Sequence, residues 1–379
     1  MSDIRWAWAE IDLGAIDHNI RVLRERVAPA AVWAVVKADG YGHGAVDVAR
    51  AAISAGAEGL CVALVQEGIE LRRGGIDAPI LLLTEQPVEA AAHIVAYRLT
   101  PTVYHRHFLD ALVDERPVGL PVHLMIDTGM QRVGAHPHTA AAIAESIAQR
   151  APALRLAGVY THFAIADDDS DDAIEFTDNQ LESFARVLAQ LPPVPTLHAA
   201  NSAAALSRPD SRFSMVRAGI AIYGVSPGAG VDHLCADLRP AMELKARVSF
   251  VKQVRSGSRI SYGLRHRFDR DTTVATIPLG YADGVPRRLH AVGGAVLIGG
   301  RRCPIVGVVT MDQLMVDCGD HDVRVGDDVT LIGSQTAPDG STIRIRAEDW
   351  AAALDTIGYE VVCGISSRIP RVPRRSIDH

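Results

Sequence analysis

The chain has 379 residues, 48% hydrophobic and 22% charged, with 38 Lys and Arg against 45 Asp and Glu for a net charge of −7. That is room for two or three domains with a sizeable core, and the composition excludes a mostly disordered chain or a peptide-sized scaffold. A mildly acidic balance with no basic stripe argues against nucleic acid or an anionic membrane as principal partner, leaving small molecules.

The start, MSDIRWAWAEIDLGAIDHN, has neither the basic region nor the apolar run of a leader, and no apolar stretch long enough to span a membrane follows. Cys61, Cys235, Cys303, Cys318 and Cys363 are odd in number and include no C-x-x-C pair. Reduced thiols in a cytoplasmic protein, with no resident metal, are the expectation.

From about Trp6 to Pro227 short apolar runs alternate with amphipathic segments. The runs are AVWAVVK (31–37), EGLCVAL (58–64), APILLL (78–83), VHLMID (122–127), LAGVYTHF (156–163), PTLHAA (195–200) and SMVRAGIAIYG (214–224), with an eighth in HIVAYRLTPTVY (93–104). Between them, stretches such as 44–57 and 139–152 space apolar residues three and four apart, as helices do. Eight parallel β/α units predict a (β/α)8 TIM barrel. An open doubly wound sheet is disfavoured, because no G-x-G-x-x-G turn follows an early strand and polar residues cluster after the apolar runs. Beyond 227–240 the texture becomes short alternating runs divided by Gly and Asp turns, among them MELKARVSFVKQV, TTVATIPLG and DVRVGDDVTLIG. The fold class is therefore α/β plus β, with a barrel over 1–235 and a mostly β domain over 236–379. One helix is predicted in 347–357, and the tail PRVPRRSIDH reads as an exposed end.

Of the 38 basic residues only Lys37, Lys245 and Lys252 are lysine. Arginine neither forms a Schiff base nor deprotonates in a protein, and lysine can do both. Lys37 closes the first apolar run and leads into the turn ADGYGHG. Its ammonium either snorkels to solvent or is desolvated in a site, where a lowered pKa would make it nucleophilic toward an aldehyde. Barrels commonly hold phosphates in the loops after their last two strands, here HAANSAA (198–204) and RAGIAIYG (217–224). Asn201, Ser202 and the amides of Gly219 and Ile220 are candidate donors. Ser202 alone would read as a helix N-cap; on the same rim as Lys37, an anion site is the better reading.

Ten segments, WAEIDLGAIDHN, VVKADGYGHG, HLMIDTGMQRVG, VYTHFA, HAANS, MVRAGIAIYG, ISYG, LGYADG, VTMDQLMVD and IGYEVVCGISSRIPR, occur in an order and register that resembles the alanine racemases, fold-type III enzymes of pyridoxal 5′-phosphate. The resemblance implies a homodimer whose active sites lie between one subunit's barrel and the other's β domain. It implies interconversion of L- and D-alanine, by two-base proton transfer at Cα of the substrate's Schiff base, to supply D-alanine for peptidoglycan. By that resemblance Lys37 binds the cofactor and serves one face of Cα, and Tyr262 from the partner subunit serves the other. His162 and Arg217 support Tyr262, and Arg217 also meets the pyridine nitrogen, where it can only donate and keeps the cofactor a weaker electron sink. Arg132 contacts the cofactor's phenolic oxygen and the substrate carboxylate, helped by the Met311 amide and Asp312. Tyr41, Asn201, Ser202, Gly219, Ile220 and Tyr359 match phosphate contacts, and Tyr281 matches the entrance. One departure is Met125, where many relatives carry a carbamylated lysine that orients the arginine. A broad-specificity or serine racemase and a non-catalytic pyridoxal-phosphate carrier are the alternatives; the β domain bearing Tyr262 speaks against the carrier.

Overall fold

The computed structural model describes Arg5 to Ser376. Its described residues divide into two compact units, Ala15–Arg239 and a second made of the segment up to Gly14 together with the chain from Pro240 onward. A single cut at residue 235 is thus corrected in one respect: the first strand, β1 (Ala7–Asp12), belongs to the C-terminal unit. The reason is pairing, since Ala7–Ile11 lies antiparallel to residues 242–246.

In the first unit, eight parallel strands follow: β2 (Ala31–Val35), β3 (Gly59–Val62), β4 (Ile80–Leu82), β5 (Thr102–Val103), β6 (Leu120–Met125), β7 (Leu154–Tyr160), β8 (Thr196–His198) and β9 (Met215–Ala218). They pair as two four-stranded arcs, β4-β3-β2-β9 and β5-β6-β7-β8. The arcs join on one side through the Leu81–Thr100 bridge. On the other side the amides of Ser214 and Arg217 donate to the carbonyls of Leu197 and Ala200, at 3.0 Å each. This closed (β/α)8 ring is the architecture predicted. The strands read as apolar runs because the helices cover them outside and the barrel core inside: Leu60, Leu82, Val122 and Val216 are all fully buried. Helices such as Ala45–Ser54 and Asp171–Leu188 cover the outside with apolar stripes, the latter capped by Ser170 accepting from the Ala173 amide.

The barrel also buries polar groups. Thr102 on β5, His123 on β6, Tyr160 on β7, His198 on β8 and Arg217 on β9 are each at most 4% exposed. Burial of such groups costs several kcal/mol unless their hydrogen bonds are made internally, about 1–3 kcal/mol for each one left unmade.

The second unit is built on a sheet of antiparallel strands, with β1 beside β10 (Met242–Arg247). The strands β11 (Phe250–Val254), β12 (Arg259–Ile260), β13 (His266–Arg267), β14 (Thr272–Ile277), β15 (Ala295–Ile298), β16 (Arg301–Val306), β17 (Leu314–Gly319), β18 (Asp328–Thr336), β19 (Thr342–Ile345) and β20 (Arg371–Arg374) complete it. The sheet order is β11-β14-β17-β16-β15-β18-β10-β1-β20, with β19 on β18 and a separate β12-β13 hairpin. The tail is exposed from Pro373 to Ser376, as expected, but part of it is ordered as a strand. Arg371–Arg374 pairs in parallel with β1 as an edge strand, where Pro373 costs no ladder bond; the last three residues lie outside the described part. The helix expected at 347–357 occupies Ala347–Leu354, followed by a second at Gly358–Cys363.

Candidate active site

Lys37 stands just past the end of β2, beside Cys61, whose thiol burial pushes up to about 12. The chain then does something unusual. Ala38, Asp39, Gly40 and Tyr41 all take left-handed backbone angles, with φ of 53°, 52°, 62° and 52°. A left-handed turn costs L-residues about 1–2 kcal/mol each, so four in a row persist only where their surroundings hold them. Glu67 Oε1 accepts from the Ala38 amide at 2.7 Å, and Asp39 Oδ1 from the Ala45 amide at 2.8 Å. The turn redirects the chain within one residue of Lys37 and fixes where its side chain starts.

At the β8 and β9 ends, the amides of Gly219 and Ala221 converge on Ser202 Oγ at 2.8 and 3.3 Å. Asn201, not Ser202, caps the following helix, its Oδ1 accepting from the Ala204 amide at 3.0 Å. The N-cap position belongs to Asn201 and not to Ser202, and the cap uses only Asn201 Oδ1, leaving its Nδ2 donor outside that bond. Tyr41 closes the cradle, because a Cβ on Gly219 would sit 2.7 Å from Tyr41 Oη. Ile220 lies in the same turn, fully buried. With its oxygen accepting both amides, Ser202 keeps its own O–H to donate, and that hydroxyl with the Tyr41 phenol, around a position that admits no side chain, suits a phosphate group.

Arg217 lies on β9, two residues before Gly219. Its Nη1 donates to His198 Nδ1 at 2.8 Å; its Nη2 donates to the carbonyls of Thr161 and Ala199 and to His162 Nδ1, at 2.9, 3.0 and 3.2 Å. Its guanidinium also lies 4.9 Å from the centre of the Tyr160 ring. Arg217 Nε has no acceptor among the described residues. Burial pulls the Arg217 pKa down, yet an arginine remains charged, so its field and burial force the neighbouring imidazoles neutral. Burial, then Arg217, Arg132 and Lys37, hold His162 down at about 3. Arg132 is exposed and makes no hydrogen bond or ion pair among the described residues, and Met125 is buried.

The remaining candidates fall in the β unit. Tyr262 is 73% exposed, on a turn preceded by Ser261 at φ 65°. Ser261 Oγ donates to the Val308 carbonyl at 2.9 Å, which ties this turn to the 307–311 loop. Met311 belongs to that loop, and Tyr281 meets it through its amide donating to the Thr310 carbonyl at 3.0 Å. A Cβ on Gly280 would stand 2.3 Å from the Met311 carbonyl oxygen, so glycine is required for that approach. The Met311 amide has no acceptor among the described residues, and the Met311 and Tyr281 side chains are exposed. Asp312 is held by Arg368 at 2.7 Å, and Arg368 also faces the buried Asp283. Tyr359 is half-buried on the Gly358–Cys363 helix. The sequence candidates therefore form two groups: Lys37, Tyr41, His162, Asn201, Ser202, Arg217, Gly219 and Ile220 with Arg132 in the barrel, and Tyr262, Tyr281, Met311, Asp312 and Tyr359 in the β unit. Sequence reasoning missed His123, His198 and Tyr160. Their signal was a polar ring set within a buried apolar strand run. Among the described residues no cluster of His, Cys, Asp and Glu could hold a metal ion, and no helix is long and apolar enough to cross a membrane.

A closed barrel with a rim lysine and an anion cradle, continuous in one chain with an antiparallel β unit, defines a two-unit barrel enzyme. Residues 11–227 match the family model described as alanine racemase, N-terminal domain, and 241–373 that described as alanine racemase, C-terminal domain. The alanine racemase of Symbiobacterium thermophilum is 45% identical over 98% of both chains. The crystal structure of alanine racemase from E. faecalis superimposes with a TM-score of 0.91 at 37% identity, covering 99% of this chain and 100% of that one. A histidine racemase from Leuconostoc mesenteroides has a TM-score of 0.88 at 28% identity, covering 98% and 99%. The chain belongs to the alanine racemase family.

Proposed function

We propose that the protein interconverts L- and D-alanine with pyridoxal 5′-phosphate, as a cytoplasmic homodimer that supplies D-alanine for peptidoglycan. The observation that carries this is Lys37, the barrel unit's one lysine, placed on the same rim as the Ser202 cradle and the donor-only Arg217. The cofactor fits these residues: Tyr41, Ser202 and the Gly219–Ala221 turn would hold the phosphate, Arg217 would donate to the ring nitrogen, and Lys37 would supply the amine for its aldehyde. When bound, pyridoxal phosphate withdraws electrons from Cα of an attached amino acid and weakens its C–H bond.

Racemisation needs proton carriers on both faces of Cα, since one base returning its proton to its own face regenerates the starting enantiomer. Lys37 takes the face toward β2. Tyr262 of the partner subunit takes the other, and its high exposure on its own unit supports a role completed by a second chain. A tyrosine is a weak base at neutral pH unless its phenolate is stabilised. His162 is suited to this: its Nδ1 accepts from Arg217, so its proton sits on Nε2, free to donate to the phenolate. Because Arg217 can only donate, it would leave the ring nitrogen unprotonated and make the cofactor a weaker electron sink, which favours return of the proton over side reactions. Arg132 would anchor the substrate carboxylate together with the Met311 amide of the partner subunit, whose Asp312, paired with Arg368, would steady that loop and whose Tyr281 would narrow the entrance to a methyl group.

The test is a panel of L-amino acids assayed for D-enantiomer. L-alanine is expected to turn over fastest; faster racemisation of serine or histidine would overturn the assignment. Lys37→Ala is expected to abolish both the visible lysine–cofactor absorbance and activity, and Tyr262→Phe to slow both directions. Undiminished exchange in either variant would refute the two-base scheme.

A further inference from the structure

The buried imidazoles beneath the barrel mouth form a chain whose direction is fixed by chemistry. Arginine carries donors only, so each histidine nitrogen that meets Arg217 must accept. His198 accepts from Arg217 through Nδ1 and so carries its proton on Nε2. That Nε2 lies 2.9 Å from Nδ1 of His123, and both rings are buried. His198 therefore donates to a lone pair on His123 Nδ1, and His123 keeps its own proton on Nε2. Donation runs one way, from Arg217 to His198 to His123.

The barrel makes room for this third ring. The β6–β7 register slips between Val122, opposite Leu156, and His123, opposite Gly158. Such a bulge re-aims a side chain at the cost of local pairing. Gly158 is the matching concession, because a Cβ there would sit 2.5 Å from both Nδ1 and Cε1 of His123. The ring of Trp33, on β2, lies 6.5 Å from that of His123. An apolar side chain would fill this space without bulge or glycine.

We propose that His123 is a positioning residue: as acceptor at the end of the chain it holds His198 in the Nε2–H tautomer, and so fixes the guanidinium of Arg217. Its catalytic consequence rests on the pyridoxal-phosphate reading above; the tautomer assignment stands without it. With no acceptor at position 123, the His198 N–H is buried unpaired, and the ring rotates or titrates to recover a partner, loosening Arg217.

Two measurements on the full chain test this. In cofactor-free protein labelled with 15N-histidine, with His198 assigned by its loss in His198→Gln, the wild type is expected to show His198 neutral and protonated on Nε2 between about pH 6 and 8. A charged or Nδ1-protonated His198 overturns the proposal, with no variant needed to fold. In the holoenzyme, His123→Leu is expected to lower kcat about tenfold with KM for L-alanine within about twofold, one buried hydrogen bond being of that size. His123→Asn, whose Oδ1 can stand near Nδ1, is expected to restore most of the rate. A folded His123→Leu enzyme with unaltered kcat, or with no rescue by Asn, refutes the role. If no racemisation occurs in the wild type while the tautomer holds, the functional reading fails and the positioning chain stands.

Discussion

Acid should weaken the barrel in a window set by three histidines. Burial and the Arg217 charge hold His123 and His162 down at about 3, and they hold His198 well below its ordinary value. In the unfolded chain all three titrate near 6.5. Below that value the unfolded state binds protons that the folded state refuses, so stability present at neutral pH is lost as the pH falls. Because the folded values lie far below the window, the loss depends only on the unfolded titration, and from about pH 7.5 to 5.5 it amounts to roughly 4 kcal/mol for the three together. That is a large share of the 5–15 kcal/mol typical of a domain. Carboxylates do not confound the range, since their unfolded titration lies near about 4. Urea unfolding of the cofactor-free protein at the two pH values, followed by the fluorescence of Trp33, the barrel unit's one tryptophan, measures it. A midpoint that stays level or rises on acidification would refute the neutral, buried histidine network.

Two more perturbations follow from close contacts. Gly219→Ala puts a methyl 2.7 Å from Tyr41 Oη, and is expected to displace that phenol and weaken cofactor binding about tenfold in a titration of the unloaded protein, with little change in the fold. Asp283→Ala removes the fully buried carboxylate that Arg5 and Arg368 share, at 2.6 and 3.4 Å. Thermal unfolding should register a loss of about 3 kcal/mol in the β unit, and the 280–284 turn that carries Tyr281 should become more susceptible to protease.

The sequence exposed the barrel because its strands are unbroken apolar runs, and it exposed the ring of rim residues because these follow the runs directly. Lys37 was legible from scarcity, being one of three lysines in a chain of arginines. What escaped was set by distant pairing. The β1 strand reads like the opening of the barrel repeat, and nothing local says that its partners lie beyond residue 240. The left-handed turn after Lys37 includes Ala38 and Tyr41, which carry no signal for positive φ. His123 and His198 look like interruptions of apolar strands until the bulge at β6 and the bare Cα of Gly158 bring them together. That Asn201 and not Ser202 holds the cap was not legible, because adjacent small polar residues satisfy the same capping pattern.

The placement of β1 between β10 and β20 has a consequence for synthesis. The barrel sequence is interposed within the β unit, so a ribosome that has delivered residue 239 has supplied all eight barrel strands while β1 still lacks both neighbours. β1 gains its antiparallel neighbour once residues 242–246 emerge, and its parallel neighbour only with Arg371–Arg374. A chain stopped before residue 371 would leave β1 itself as the sheet edge.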